Sequence, residues 1–200
     1  MTTNKPTKHL DLGCGSVPRN PFKREKVYGI DINTTRNIDP PNIEITCANL
    51  FLDPIPFPNA EFHSVSAYDF IEHVPRVLAR DSETIFPFVR LMSEIHRVLK
   101  PGGFLYALSP CYPSETSFID PTHVNHITER SHLYFTGEKP LAAMYGFVGR
   151  FDVVTSDRVV YSDAVDPMVP KSLGSRFRHF RHKIKGKLHY CRWHLMKPTG

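Results

Sequence analysis

His9-Leu10-Asp11-Leu12-Gly13-Cys14-Gly15 decides the fold: an apolar run ends in an acid and two spaced glycines. The pattern predicts the first strand of an α/β sheet and the loop that leaves it. Leu10 and Leu12 go to a core, while Gly13 and Gly15 let the backbone turn sharply and approach a bulky ligand where a β-carbon would clash. Asp11 then falls at the carboxyl edge of the sheet. Open α/β sheets bind ligands at that edge, and an acid there suits a cationic group better than a pyrophosphate.

Working outward, Pro18 and Pro21 leave little room for a long helix after this strand, so a shortened first helix or irregular crossover is expected. Lys26-Val27-Tyr28-Gly29-Ile30-Asp31 reads as a second strand that ends in an acid, about where a ribose-binding carboxylate belongs. Thr34 to Asn42 is turn-rich, and Ile43-Glu44-Ile45-Thr46 alternates as a third strand. Phe62 to Tyr68 follows a proline-punctuated loop as a fourth strand, from whose carboxyl end Asp69-Phe70-Ile71-Glu72-His73 emerges.

Between Ser82 and Lys100 apolar residues recur at three and four positions, which predicts an amphipathic helix stopped by Pro101-Gly102-Gly103. Phe104 to Leu108 is a short, continuously apolar fifth strand. Ser109 to Phe135 loses the pattern, and a loop that long is uncommon unless it forms a binding surface or lid. Thr136 to Gly146 reads as a capped helix, and Phe151–Val154 with Arg158–Tyr161 as two final strands in an antiparallel hairpin.

The chain has 200 residues, 40% of them hydrophobic, and a mean hydropathy of −0.30, as expected of a globular protein. No apolar run approaches the roughly eighteen residues of a membrane span, and the polar start, Met1 to Lys8, has no signal-peptide core, so a cytoplasmic location is expected. Cys14, Cys47, Cys111 and Cys191 form no C-x-x-C pair and are expected to be reduced thiols. Nothing in the sequence indicates an oligomeric state.

The formal charge of +5 is concentrated at one end. Nine Lys and Arg lie from Lys171 onward with no acid after Asp166, so the rest of the chain is mildly acidic. The division expected is a domain over residues 1–165 and a basic appendage over 166–200. Within the appendage Phe177, Phe180, Ile184, Leu188, Cys191 and Leu195 are spaced as one helical stripe, with Tyr190 and Trp193 nearby. Such a helix over 171–200 suits an anionic membrane surface, or it packs its stripe on the domain. RNA is a third option, less favoured because Gly186 interrupts the helix and no stacking motif is present.

The ordered series Leu10-Asp11-Leu12-Gly13-Cys14-Gly15, Gly29-Ile30-Asp31, Asn49-Leu50, Tyr68-Asp69-Phe70-Ile71-Glu72-His73 and His96-Arg97-Val98-Leu99-Lys100-Pro101-Gly102-Gly103 resembles the class I S-adenosylmethionine-dependent methyltransferases. The resemblance covers about the first 110 residues. It implies a Rossmann-like, mostly parallel seven-stranded sheet closed by an antiparallel hairpin, with S-adenosyl-L-methionine as cofactor. Asp11, Gly13, Cys14 and Gly15 would line its methionine part, with Asp11 near the ammonium. Asp31 would bind the ribose, Ile32 would pack on adenine, Asn49 would accept from the adenine amino group, Leu50 would give a backbone contact, and Tyr68 would close the methionine end. Asn49 also reads as a plain turn former. Val17 and Pro18 stand where many members carry a third glycine, which argues against NAD or FAD.

Asp120-Pro121-Thr122-His123-Val124-Asn125-His126 resembles a segment of small methyltransferases associated with bacterial surface-polysaccharide synthesis, which implies a glycan or other small-molecule acceptor. His123 would then take a hydroxyl proton with Asp120 orienting it, or else hold the loop. His126 and His132 with Asp120 have no recognised metal-ligand spacing, so no metal set is assigned. Glu72 and His73 read as acceptor-facing groups or as helix caps. A lipid-linked glycan would strengthen the membrane reading and place the protein on the inner face of the plasma membrane. An RNA methyltransferase and a cofactor-binding regulatory or scaffold protein without turnover are the alternatives.

Overall fold

A computed structural model describes residues 5–33, 42–169 and 172–200. The expected turn-rich stretch from Thr34 lies, apart from Asn42, outside them. Nine strands and two α-helices are present among the described residues: β1 Lys8–Leu12, β2 Lys26–Asp31, β3 Ile43–Cys47, β4 Phe62–Tyr68, β5 Leu78–Arg80, β6 Glu83–Ile85, α1 Pro87–Val98, β7 Leu99–Pro110, β8 Asp152–Val159, α2 Leu173–Ile184 and β9 Tyr190–Met196. Seven strands form one sheet in the order β3-β2-β1-β4-β7-β9-β8, and β5 pairs with β6 in a separate hairpin. The pairs from β3 through β7 are parallel, and β9 runs antiparallel to both β7 and β8.

Alternation sorts each strand's residues onto two faces. Leu10 and Leu12 of β1, Val65 and Ala67 of β4, and Leu105 and Ala107 of β7 join one core, into which α1 sends Phe88, Leu91, Met92 and Ile95. Tyr68, Tyr106 and Leu108 face the other way, into a smaller cluster with Phe22, Val159 and Ala164. His9 and Asp11 share that second side with Ser64 and Ser66. No helix joins β1 to β2: Pro18 and Pro21 lie in a turn-rich segment, and Phe22 covers the sheet where a helix would.

Several expectations are corrected. The amphipathic helix begins only at Pro87, because Leu78–Arg80 and Glu83–Ile85 form the small hairpin, and its last apolar residue, Leu99, already belongs to β7. Leu141–Tyr145 is a five-residue 3-10 turn, ended by Gly146 at φ 89°, in place of the α-helix expected from Thr136. Phe151–Val154 and Arg158–Tyr161 are not a hairpin, since Asp152–Val159 is one strand whose antiparallel partner is β9.

The tail is corrected most. The helical stripe ends at Ile184, Gly186 takes a left-handed φ of 64°, and Leu188 begins a new arrangement. In β9 Cys191, Trp193 and Leu195 are buried alternately. Residues 166–200 are therefore not a detached appendage, because their final strand sits inside the sheet between β7 and β8. Cys191 and Cys111 are joined as a disulfide with Cα atoms 5.0 Å apart, so only Cys14 and Cys47 keep the expected thiol form.

Candidate active site

The glycine loop folds back on β2. The amides of Gly13 and Cys14 both donate to the Ile30 carbonyl, at 2.8 and 3.1 Å, and Gly15 N–H donates to Asp31 Oδ2 at 2.9 Å. These turns need positive φ, 64° at Gly13 and 58° at Gly15. A β-carbon on Gly13 would lie 2.4 Å from Phe70 Cδ2, whereas nothing lies within 4 Å of one on Gly15. Gly13 is thus a packing requirement, and Gly15 presents open space to a ligand. Cys14 is buried beneath the loop, and burial, reinforced by Asp11 and Asp31, pushes its thiol up to about 12.

Asp11 is 0% exposed and faces inward. Its Oδ1 accepts from Ser66 Oγ at 2.5 Å and its Oδ2 from Arg19 N–H at 2.7 Å, so it ties the loop to β4 from below. Burial outweighs these bonds and pushes the carboxyl up to about 6. Because Ser66 donates to Asp11, it accepts from His9 Nε2–H at 2.8 Å, which leaves His9 Nδ1 to accept from Ser64 at 2.8 Å. Burial holds His9 neutral, its pKa lowered to about 3.

At the end of β2 the other Asp31 oxygen, Oδ1, accepts from Asn33 N–H at 2.8 Å. Beside it Ile32 is 55% exposed, a large apolar side chain with no cover. Asn49 joins this edge because Ala48 N–H donates to the Asp31 carbonyl at 3.1 Å. Its Oδ1 accepts from Phe51 N–H at 3.1 Å, so Asn49 forms a turn and keeps one acceptor site and its amide donors. Leu50 is buried behind it. Tyr68 is buried too: its hydroxyl donates to the Val165 carbonyl at 2.7 Å, and the Arg19 guanidinium lies 4.7 Å from its ring centre.

The exit of β4 builds the second half. Asp69 takes a φ of 48°, and Ile71–His73 then make a 3-10 turn. Ile71 enters the core and Glu72 is buried, with neither carboxylate oxygen hydrogen-bonded. Burial pushes Glu72 up to about 8, with Asp69 and Asp120 adding to the rise. The loop from Asp120 is pinned on this turn: Val124 and Asn125 N–H both donate to the Glu72 carbonyl, at 3.0 and 2.8 Å. The Asn125 amide donates to the Ile71 carbonyl at 3.0 Å and accepts from Arg76 Nε at 2.6 Å.

This pinning brings His123 against His73, their ring centres 4.8 Å apart. His123 Nε2 is 3.9 Å from Asp120 Oδ2, too far to be a hydrogen bond, and its buried Nδ1 has no partner. Asp120 instead accepts from the Thr122 amide at 2.8 Å and hydroxyl at 2.6 Å. Thr122 Oγ1, having donated to Asp120, accepts from His73 Nδ1–H at 2.9 Å. Ligand atoms of Glu72, His73 and His123 all lie within 4.8 Å of one another. The histidines considered with Asp120 from the sequence go elsewhere: His132 bonds Ser156 Oγ at 3.1 Å, and His126 packs on Phe118.

Sequence reasoning gave Tyr161 no site role and set Tyr190 beside the tail's apolar stripe, whereas their rings meet at 4.8 Å and their hydroxyls are pushed up by burial and by Asp69. It also passed over a cavity of about 600 Å³ lined by Arg76, Phe86, Arg130, Tyr134 and Tyr145 among others. Arg76 links that cavity to the His123 loop, because it also donates to the His126 carbonyl.

Residues 10–107 match the family model described as a methyltransferase domain. No curated protein matches the sequence. Among solved structures, an S-adenosylmethionine-dependent methyltransferase from Methanosarcina mazei is 18% identical at a TM-score of 0.55, covering 98% of this chain and 95% of its own. One from Aquifex aeolicus is 13% identical at 0.52, covering 96% and 82%. Geranyl diphosphate C-methyltransferase from Streptomyces coelicolor, solved with Mg2+, geranyl diphosphate and S-adenosyl-L-homocysteine, is 15% identical at 0.54, covering 96% and 71%.

The fold is that of the class I S-adenosylmethionine-dependent methyltransferases. The match to the methyltransferase-domain model runs from β1 into β7, and it indicates S-adenosyl-L-methionine as the cofactor.

Proposed function

We propose that the protein O-methylates a sugar hydroxyl of a glycan, held at an anionic membrane through its lipid. The observation that carries the acceptor side of this reading is the Glu72, His73 and His123 cluster, a group of polar side chains at the carboxyl edge of the parallel sheet that includes buried acceptor atoms without a well-formed hydrogen bond. When bound, S-adenosylmethionine supplies a methyl group whose bond to the sulfonium breaks with its electron pair passing to sulfur.

The residues at the β1–β3 edge fit that cofactor. Gly15 leaves room beside the loop, Asp31 retains lone pairs for ribose hydroxyls after holding Gly15 and Asn33, and exposed Ile32 offers an apolar cover for adenine. Asn49 keeps one acceptor site for the adenine amino group, with the Leu50 backbone beside it. Asp11 supports the loop from beneath, next to Gly13 and Cys14, and its charge favours the methionine ammonium from there without direct contact. Tyr68 closes the methionine end by anchoring the segment at Val165 and carrying Arg19 on its ring.

On the acceptor side the chain's work is alignment, since methyl transfer from a sulfonium is an in-line displacement. His123 Nδ1 is the atom placed to accept the hydrogen of the acceptor hydroxyl, with Asp120 charge-compensating from 3.9 Å. The aromatic cavity suits a sugar ring, and Arg76 and Arg130 suit a phosphate or carboxylate on it. The membrane part rests on α2, where Leu173, Phe177, Phe180 and Ile184 are all exposed on one face amid Arg176, Arg181 and Lys183. The contact proposed for α2 is with the membrane surface, on its cytoplasmic side; among the described residues no helix is long and apolar enough to cross a membrane.

Transfer of tritiated methyl from S-adenosylmethionine to fractions of the producing cell tests the reading. Label in the lipid-linked glycan fraction is expected. Label in RNA, with binding that weakens steeply with salt, would replace the glycan by a nucleic acid. Bound S-adenosylhomocysteine without label in any fraction would leave a regulatory protein.

A further inference from the structure

We infer that Glu72, His73 and His123 hold one divalent transition-metal cation, such as Mn2+ or Zn2+, and that this ion binds the acceptor through two neighbouring hydroxyls. The inference rests on the methyltransferase reading and changes one assignment in it, making His123 Nδ1 a ligand.

Three observations lead there. Glu72 is 2% exposed and neither of its oxygens makes a well-formed hydrogen bond, with the Ser109 hydroxyl the one side-chain donor that acts on it, so a buried carboxyl so placed stays ionised only with a cation beside it. His123 presents a second buried, unpartnered atom, Nδ1, on a side chain only 10% exposed. One ligand atom from each of Glu72, His73 and His123 lies within 4.8 Å of the others, a span that one ion with bonds of about 2.0–2.2 Å closes by small side-chain rotations.

The surroundings are those of a metal site. His73 gives its Nδ1–H to Thr122 Oγ1, and Thr122 gives its hydroxyl hydrogen to Asp120. That relay fixes the tautomer in which His73 Nε2 carries the free lone pair, as second-shell carboxylates do for metal-bound histidines. The backbone bonds from Val124 and Asn125 to the Glu72 carbonyl hold the two halves of the site in register. Two imidazoles and one carboxylate favour divalent transition-metal ions over Ca2+ or Mg2+, which prefer all-oxygen ligand sets.

Three protein ligands leave coordination positions open, which two adjacent hydroxyls of a sugar fill together. Coordination acidifies a hydroxyl, so the reaction needs no strong protein base. The hydroxyl oxygen forms the new bond to the methyl carbon, the sulfonium bond breaks with its pair going to sulfur to leave a thioether, and the hydroxyl proton leaves to water. Acceptors with a lone hydroxyl are then poor substrates, and vicinal diols good ones.

Mn2+ titration of the full chain after EDTA stripping, followed by calorimetry and by the loss of the free-ion EPR signal, tests this without cofactor or acceptor. One Mn2+ per chain is expected. Glu72→Gln and His123→Ala should abolish saturable binding. Thr122→Val, on an exposed side chain, should weaken it about ten- to a hundredfold by releasing the His73 tautomer. Melting curves show whether Glu72→Gln is folded, and the Thr122 variant carries the test if it is not. Equal Mn2+ binding by wild type and Thr122→Val, together with full methylation after stripping, would overturn the proposal. Calorimetry with S-adenosylhomocysteine separates it from the broader reading: cofactor bound without metal refutes the metal site, and metal bound without cofactor refutes the methyltransferase reading.

Discussion

The carboxylate of Asp11 and the imidazole of His9 share one buried chain of hydrogen bonds through Ser66, and burial acts on them in opposite senses. His9 is lowered from 6.5 to about 3, so its contribution to stability is present above pH 6.5 and is lost as the pH falls toward 3. Asp11 is raised from 3.8 to about 6, so its contribution is present below pH 3.8 and is lost as the pH rises through 6. Between about pH 4 and 6 the two slopes, each about 1.4 kcal/mol per pH unit, oppose one another. Asp11→Asn keeps the acceptor for Ser66 and removes one slope, so urea unfolding at pH 4, 5 and 6 should show the variant losing about 1.4 kcal/mol more per unit of acidification than wild type. Parallel curves would mean that Asp11 titrates as an ordinary carboxylate. His96, lowered to about 4 by burial, adds the same slope to both proteins. Asp31→Ala removes the acceptor for Gly15 and Asn33 along with the proposed ribose contact, and should weaken S-adenosylhomocysteine binding by about ten- to a hundredfold in calorimetry.

At the scale of elements, β1 to β4 were legible because each carries its own signal: apolar runs at two-residue period, punctuated by glycine, proline or a terminal acid. The glycine loop and Asp31 were legible for the same reason. β9 was not, because Ile184, Leu188, Cys191 and Leu195 happen to be spaced at four, three and four, as on a helix, while burial follows period two from Tyr190 to Met196. Gly186 was the available signal, and it marks the true end of the helical stretch. Glu72 was legible as an acceptor-facing group or a cap, but its burial was not, since the loop pinned on it, at Val124 and Asn125, lies far along the chain. Trp193 gives this strand its weight: it is 1% exposed, between Phe88 and His132. Trp193→Ala should cost about 3–5 kcal/mol in denaturant melts. Trp193→Phe should cost much less, because the indole N–H it removes has no partner. Equal losses would assign the effect to shape and not to buried area.

Across the whole molecule the proposed cofactor and acceptor residues lie along the carboxyl edge of the parallel strands, and α2 stands apart from both cores, with Arg178 ion-paired to Asp163. Phe177 and Phe180 are 69% and 59% exposed, so replacing both by Glu leaves the fold intact and tests the membrane contact cleanly. Cosedimentation with anionic vesicles should fall at least about tenfold for the double variant, since each Phe buries on the order of 1.5–3 kcal/mol of apolar surface. Undiminished cosedimentation would remove α2 as the contact. Deleting the tail is the poorer experiment, because it takes β9 out of the sheet.

The position of β9 also sets an order of events during synthesis. It follows β8 and α2 along the chain but fills the gap between β7 and β8, so a nascent polypeptide holds both neighbours with open, hydrogen-bond-hungry edges until Tyr190 to Met196 have left the ribosome. Tyr190, which meets Tyr161 and feels the Asp69 charge, arrives with it. Stalled translation products therefore lack part of the site wall and expose two unpaired strands, which makes them targets for chaperones and proteases.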